Sequence, residues 1–198
     1  MNKAIIIAAA LTIGCSQTQA QGNVKNIGKN NITLNSKLMT PEALWAMGRI
    51  AGAQASPDGK NIIYQVGYYS VKENRGHQVL YIMPADGKEN KLLTTDAKSE
   101  TDAVWIEGGK RIAFLREGQI WAMNPDGTGR QQLTHDKTGI DGFKFSPDGQ
   151  SVILIKQIPY NVTIQKNPAD LPKTTGMVIT DMNYRHWDEY VTSIPHPF

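Results

Sequence analysis

The sequence predicts an all-β chain of repeated four-stranded antiparallel sheets, and three observations carry that prediction. Ser56-Pro57-Asp58-Gly59 returns unchanged at Ser146-Pro147-Asp148-Gly149. Met83-Pro84-Ala85-Asp86-Gly87 is answered by Met123-Asn124-Pro125-Asp126-Gly127, and Leu93-Thr94 by Leu133-Thr134; both pairs are 40 positions apart (123 − 83 and 133 − 93). Between these signals lie short runs of β-branched and aromatic residues bounded by Gly and Asp, which are strand signals. A plain β-sandwich has frequent turns but needs no equivalent residues at a fixed long period. A four-stranded unit repeating about every 40 residues is a β-propeller blade.

The elements follow in chain order. Asn2-Lys3 and the apolar run Ala4 to Ile13 have the layout of a secretory signal peptide, assigned to 1–20 and too short to span a bilayer. Cleavage after Ala20 would use Thr18 and Ala20 as the small residues. The alternative is the lipoprotein-like box Leu11-Thr12-Ile13-Gly14-Cys15, with a lipid anchor at Cys15. The chain is therefore expected to be exported to the periplasm, or else held as an outer-membrane lipoprotein. Residues 21–37, rich in Asn, Gly and Lys, read as a flexible tether. Thr40-Pro41-Glu42 is a helix start, with a capping hydroxyl, a proline at the first position and an acid in the first turn; the short helix should run through Trp45 and stop near Gly48.

Residues 38–198 are then an incomplete propeller, with units near 48–95, 98–135 and 139–184 and the start of another near Trp187. In the Ser-Pro-Asp-Gly turns, Pro57 and Pro147 preset φ, Asp58 and Asp148 bond nearby amides, and Gly59 and Gly149 accept positive φ. Ile106-Glu107-Gly108-Gly109 holds the equivalent place in the middle unit. Asp86, Gly87, Asp126 and Gly127 form the later turns. Gly59 to Gly87 is 28 residues and Gly109 to Gly127 is 18, so the first unit carries ten extra, read as a loop in "YYSVKENRGH", 68–77. The third swells in 158–176, whose three prolines favour a loop or edge. Three units and a fraction do not close a ring. The chain also stops at "SIPHPF" without a closing strand, so it is read as the N-terminal piece of a longer protein.

Composition narrows the function. The net charge is +3, with Lys and Arg scattered among Asp and Glu and no basic run or helix face, so no nucleic-acid partner is expected. No apolar run reaches the length of a transmembrane helix. Cys15 is the single cysteine, which excludes an intrachain disulfide and a Cys-based zinc site. His186 and Asp188 have no third ligand at fitting spacing, and His196 is poorly placed; no metal and no cofactor is expected. His77 and His135 read as solvated loop residues, and Trp45, Trp105 and Trp121 as core. No G-x-S-x-G elbow occurs, and Ser56 and Ser146 are turn residues rather than nucleophiles. No catalytic residue is expected in this chain.

Two longer stretches resemble a known family. "LMTPEALWAMGRIAGAQASPDGKNIIY", 38–64, and "MNYRHWDEYV", 182–191, are similar to segments of the prolyl oligopeptidase family of serine peptidases, in its exported bacterial dipeptidyl and acylaminoacyl peptidase branch. The resemblance covers about 38–198. It implies a propeller that filters short peptides for a C-terminal α/β-hydrolase domain whose Ser, Asp and His lie beyond residue 198. The densest polar-aromatic cluster, "YRHWDEY", 184–190, has two readings. One is structural, with Tyr184 and Trp187 packing a blade and Arg185 pairing with Asp188 or Glu189. In the other, Arg185, His186, Asp188 and Glu189 hold a peptide, the carboxylates binding its free ammonium. The competing function is a TolB-like envelope propeller that binds a partner protein.

Overall fold

A computed structural model describes residues 27–33, 37–159, 164–165, 178–179 and 193–198. Thr40 caps α1 (Pro41–Ala46), its Oγ1 accepting the Ala43 amide at 3.2 Å. Next comes a sheet of four antiparallel strands in chain order, β1 (Arg49–Ala55), β2 (Asn61–Ser70), β3 (Arg75–Pro84) and β4 (Lys91–Leu92). A second sheet repeats the order with β5 (Glu100–Ile106), β6 (Arg111–Arg116), β7 (Gln119–Met123) and β8 (Gln131–Gln132). The third contains β9 (Gly142–Phe145) and β10 (Val152–Pro159). β11 (Ile164–Gln165) and β12 (Val178–Ile179) pair with each other, and β13 (Ser193–Pro197) pairs with β10. Among the described residues the architecture is all-β apart from one short helix and one 3-10 turn, as the repeat predicts.

The recurring residues make recurring bonds. In the β1–β2 turn the Gly59 amide donates to the Ser56 carbonyl at 2.8 Å; in the β9–β10 turn Gly149 donates to Ser146 at 2.9 Å, and both glycines sit near φ +70°. After β3 and β7, Gly87 donates to Pro84 and Gly127 to Asn124, each at 2.9 Å. The Leu-Thr repeat has the same explanation. Leu93 donates to the Leu80 carbonyl while Thr94 Oγ1 accepts the Leu80 amide; Leu133 and Thr134 do the same for Ile120. Each dipeptide therefore carries the ladder past the short fourth strand.

Burial explains the strand sequences. Ile112 and Phe114 of β6 face the first sheet, packing with Ile63, Leu80, Ile82 and Leu93, while Ala113 and Leu115 face Phe143, Val152 and Leu154 of the third. A strand covered on both faces reads as an unbroken apolar run, which is why 112–115 shows no alternation. The outer face of the first sheet carries Val66, Tyr68 and Val79.

The structure corrects several expectations. The stretch 68–77 is not a loop: β2 and β3 stay paired over ten rungs, from Asn61↔Pro84 to Ser70↔Arg75, and the insertion lengthens the hairpin. His77 therefore lies in β3 and is 1% exposed, not solvated. Its Nδ1 sits 2.7 Å from the Ile27 carbonyl and its Nε2 3.3 Å from that of Lys98. Ile27, placed in the tether by the sequence, is buried against Val66, Tyr68 and Val79, because a β-branched side chain meets an open apolar face there. Trp45 is not core but 44% exposed at the end of α1. The middle turn keeps its place but not its backbone: Glu107, opposite Pro57 in the repeat, has φ +52°, a value proline cannot adopt. The expected boundary at 184 and the start of another unit near Trp187 lie outside the described residues; Ser193–Pro197, read from sequence as lacking a strand, pairs with β10 in the third sheet. Its prolines, Pro195 and Pro197, are tolerated because β13 is an edge strand.

Candidate functional site

The strand directions give the sheets two distinct ends. β1, β3, β5, β7 and β9 run toward the Asp-Gly turns, where the Ala85 amide bonds the Lys60 carbonyl at 2.8 Å and ties two turns together. The opposite end holds α1, the β2–β3 turn, the Glu117-Gly118 turn between β6 and β7, and the pair Pro159↔Ser193.

At the turn end the serines close hairpins. Ser56 Oγ donates to Asp58 Oδ1 at 2.6 Å and accepts the Asn61 amide at 2.9 Å; Ser146 Oγ donates to Asp148 at 2.5 Å and accepts the Ser151 amide at 3.0 Å. A hydroxyl held this way is part of the turn and presents no nucleophile at a strand-to-helix elbow. The turn carboxylates lie below the usual carboxylate range. For Asp58 the Ser56 hydroxyl is the main cause and the Lys60 amide the next; for Asp148 they are the Ser146 hydroxyl and the Gln150 amide. The Lys88 ammonium and amide lower Asp86, and the Thr128 hydroxyl and amide lower Asp126. Neighbouring sheets meet here as well: a Cβ built on Gly109 would come within 3.0 Å of Pro57 Cδ. Between the second and third sheets lies a cleft of about 470 Å³, walled by Trp105, Leu133, Phe145 and Pro147.

The opposite end is dominated by charge. Glu100, 0% exposed at the start of β5, receives Arg116 at 3.1 Å and Arg130 at 2.5 Å. Arg116 also reaches Asp96 at 2.5 Å, Arg130 donates to the Leu93 carbonyl at 2.6 Å, and Thr94 Oγ1 donates to Glu100 at 2.8 Å. Both Nε atoms are buried without a hydrogen-bond partner among the described residues; the two guanidiniums lie over the Trp121 and Phe114 rings. Every bond of this cluster is internal, so it pins the 93–100 connection to the second sheet. Lys98 adds an ion pair with Glu117.

Arg185, His186, Asp188 and Glu189 lie outside the described residues, as does Cys15. The strands that bracket 160–192, however, end and begin at this charged end, opposite the Asp-Gly turns. Among the described residues no group of three His, Cys, Asp or Glu could hold a metal ion. Glu100 and His77 are fully buried although their types suggest surface positions. Both carry polar side chains inside paired strands, and only the pairing shows them buried. A cavity of about 600 Å³ also opens between α1 and the outer face of the first sheet, lined by Ile50, Tyr64 and Tyr81.

No protein-family model matches the sequence. Dipeptidyl-peptidase 5 of Porphyromonas endodontalis is 40% identical over 171 residues, which take in 84% of this chain and 25% of that protein. Dipeptidyl-peptidase 5 of Porphyromonas gingivalis is 39% identical over 204 residues, covering 100% of this chain and 28% of that protein. Among solved structures, an acylaminoacyl peptidase of Pyrococcus horikoshii is similar with a TM-score of 0.49 and 14% identity, over 59% of this chain and 18% of that one. The chain spans about a quarter of the length of the curated relatives it matches.

Proposed function

The chain is a relative of the dipeptidyl-peptidase 5 proteins, and so of the prolyl oligopeptidase family its motifs resemble; on that premise we propose that it is the substrate-gating propeller portion of an exported serine peptidase. The observation that carries this is the 40% identity over 171 residues. In the proposal, catalysis belongs to a hydrolase domain outside these 198 residues, and the stacked sheets supply a rigid wall that admits short peptides. Residues 1–20 direct export. The propeller's end bearing Pro159 and Ser193 is the end turned toward substrate, and Asp188 and Glu189 hold the peptide ammonium.

The test uses the complete peptidase with Glu189→Gln, which keeps the shape and removes the charge. A charge-assisted hydrogen bond to an ammonium is worth about 1.5–3 kcal/mol. We expect kcat/KM to fall about tenfold to a hundredfold for peptides with a free N-terminus, and N-acylated peptides to be nearly unaffected. Equal losses on both would remove the ammonium-binding role. Cleavage of long polypeptides as fast as tripeptides by the unaltered enzyme would remove the gating role.

A further inference from the structure

The end of the first sheet opposite the Asp-Gly turns carries a cation that the fold holds in place and, among the described residues, leaves without a counter-charge. Arg49 opens β1 and is exposed. Its guanidinium carbon lies 4.3 Å from the centre of the Tyr69 ring and 5.1 Å from that of Trp45. Those rings meet edge to face, 5.8 Å apart at 63°. Trp45 comes from α1 and Tyr69 from the end of β2, so two elements brace one side chain. Among the described residues the Arg49 side chain makes no hydrogen bond and no ion pair, and it lies against the two rings.

Ring contact engages the π-face of a guanidinium, while its five N–H donors point outward along its edges. An arginine braced this way has already lost much of its rotamer freedom, so a ligand that meets those edges carries less of the ordering cost. The planar fork of donors matches a carboxylate. The two rings that brace Arg49 also border a cavity. Ser70, Asn74 and Arg75 help to line it, and its volume is about 310 Å³, at the lower end for ligand pockets. Asn74 sits at φ +44°, a conformation uncommon outside glycine, at the tip of the lengthened hairpin. The ten residues that distinguish the first unit therefore build the wall of this cavity, and insertions on a repeat scaffold often make binding surface.

We propose that this corner is a carboxylate-binding site, in which Arg49 takes the carboxylate of a short peptide and the Trp45–Tyr69 pair holds the guanidinium in place. Two sources supply that group, a peptide C-terminus and an acidic side chain. The proposal does not depend on hydrolysis, so it stands or falls apart from the peptidase reading. The test is calorimetric titration of the 198-residue chain with N-acetyl-trialanine as the free acid, its C-terminal amide, and N-acetyl-Ala-Asp-Ala amide. Thermal unfolding of each variant checks that it folds. If the C-terminus is the ligand, the free acid binds and both amides do not; if the side chain is, the Asp peptide binds as well. Arg49→Lys, which keeps charge without the planar fork, should weaken binding about tenfold, and Arg49→Gln about a hundredfold. Equal heats for the acid and the plain amide, no binding of either acidic probe, or affinity unchanged in Arg49→Gln would overturn the proposal. Arg49 would then be only a brace between α1 and the hairpin.

Discussion

Glu100→Ala lowers the stability of the chain by about 3–5 kcal/mol, the range for removing one partner of a buried ionic pair. Glu100 is fully buried and receives both Arg116 and Arg130. Without it the two guanidiniums, whose side chains are 13% and 19% exposed, are left with Asp96 as the one remaining carboxylate in the cluster. For a chain of this size the thermal midpoint should fall by about 6–20 °C. Replacing the three charged residues together, as Glu100→Leu with Arg116→Met and Arg130→Met, should cost much less, because no unpaired charge is then buried. A loss under about 1 kcal/mol for Glu100→Ala would mean that water reaches the cluster. Asp96 adds an acid limb. Burial pushes its carboxyl up, but the Lys98 amide and Arg116 outweigh this, and the net shift is downward. A carboxyl lowered in the folded state stabilises above its unfolded pKa, and that contribution is lost as pH falls through the folded value. The stability that Asp96 supplies should therefore drain away as pH falls from the ordinary carboxylate range toward its lowered value, and Asp96→Asn should be less stable near neutral pH but lose less stability on acidification.

Phe114→Ala costs a similar amount, about 3–5 kcal/mol, through lost burial and the cavity left behind. Phe114 is 0% exposed in the core shared by the first and second sheets, among Ile63, Leu80, Leu93 and Met123. Six of the seven fully buried hydrophobics of largest volume among the described residues, counting Phe114, thus meet in one contact between repeats. Urea midpoints of the single and double variants separate packing from charge. Arg130 lies over the Phe114 ring and bonds Glu100, so the losses from Phe114→Ala and Glu100→Ala should not add. A strictly additive pair would show that the ring and the ion cluster act independently. A loss under 1 kcal/mol for Phe114→Ala would show that the two sheets are not stacked in solution.

The repeat frame was legible because the residues that carry it make local bonds. Gly59 and Gly149 need positive φ, and Thr94 and Thr134 cap the same ladder position, so identity follows function within a few residues. The bulges were not legible. β1 shifts register between Ala51 and Gln54, and β5 between Thr101 and Val104, but the positive φ falls on Gly52 in one and Asp102 in the other. Equivalent backbone geometry there uses different residue types. The lengthened hairpin looked like a loop because Ser70 to His77 is mostly polar, yet ladder pairing sets strand identity more firmly than composition does. β13 was missed because its partner lies more than thirty residues back and its two prolines argue against a strand, except at an edge. The resemblance of 38–64 and 182–191 pointed to the right relatives. The contacts of Glu189 and its neighbours are not legible in any string of residue types, since they depend on which way the segment between β10 and β13 turns.

The most direct measurement compares the 198-residue chain with the full-length protein for fluorophosphonate labelling and for release of nitroaniline from dipeptidyl substrates. If the peptidase reading holds, the full-length protein is labelled at one serine outside residues 1–198 and turns over substrate, while the chain alone does neither at any pH. Labelling of Ser56, Ser146 or any other serine within these residues would contradict it, as would a complete protein that binds partners but neither labels nor cleaves.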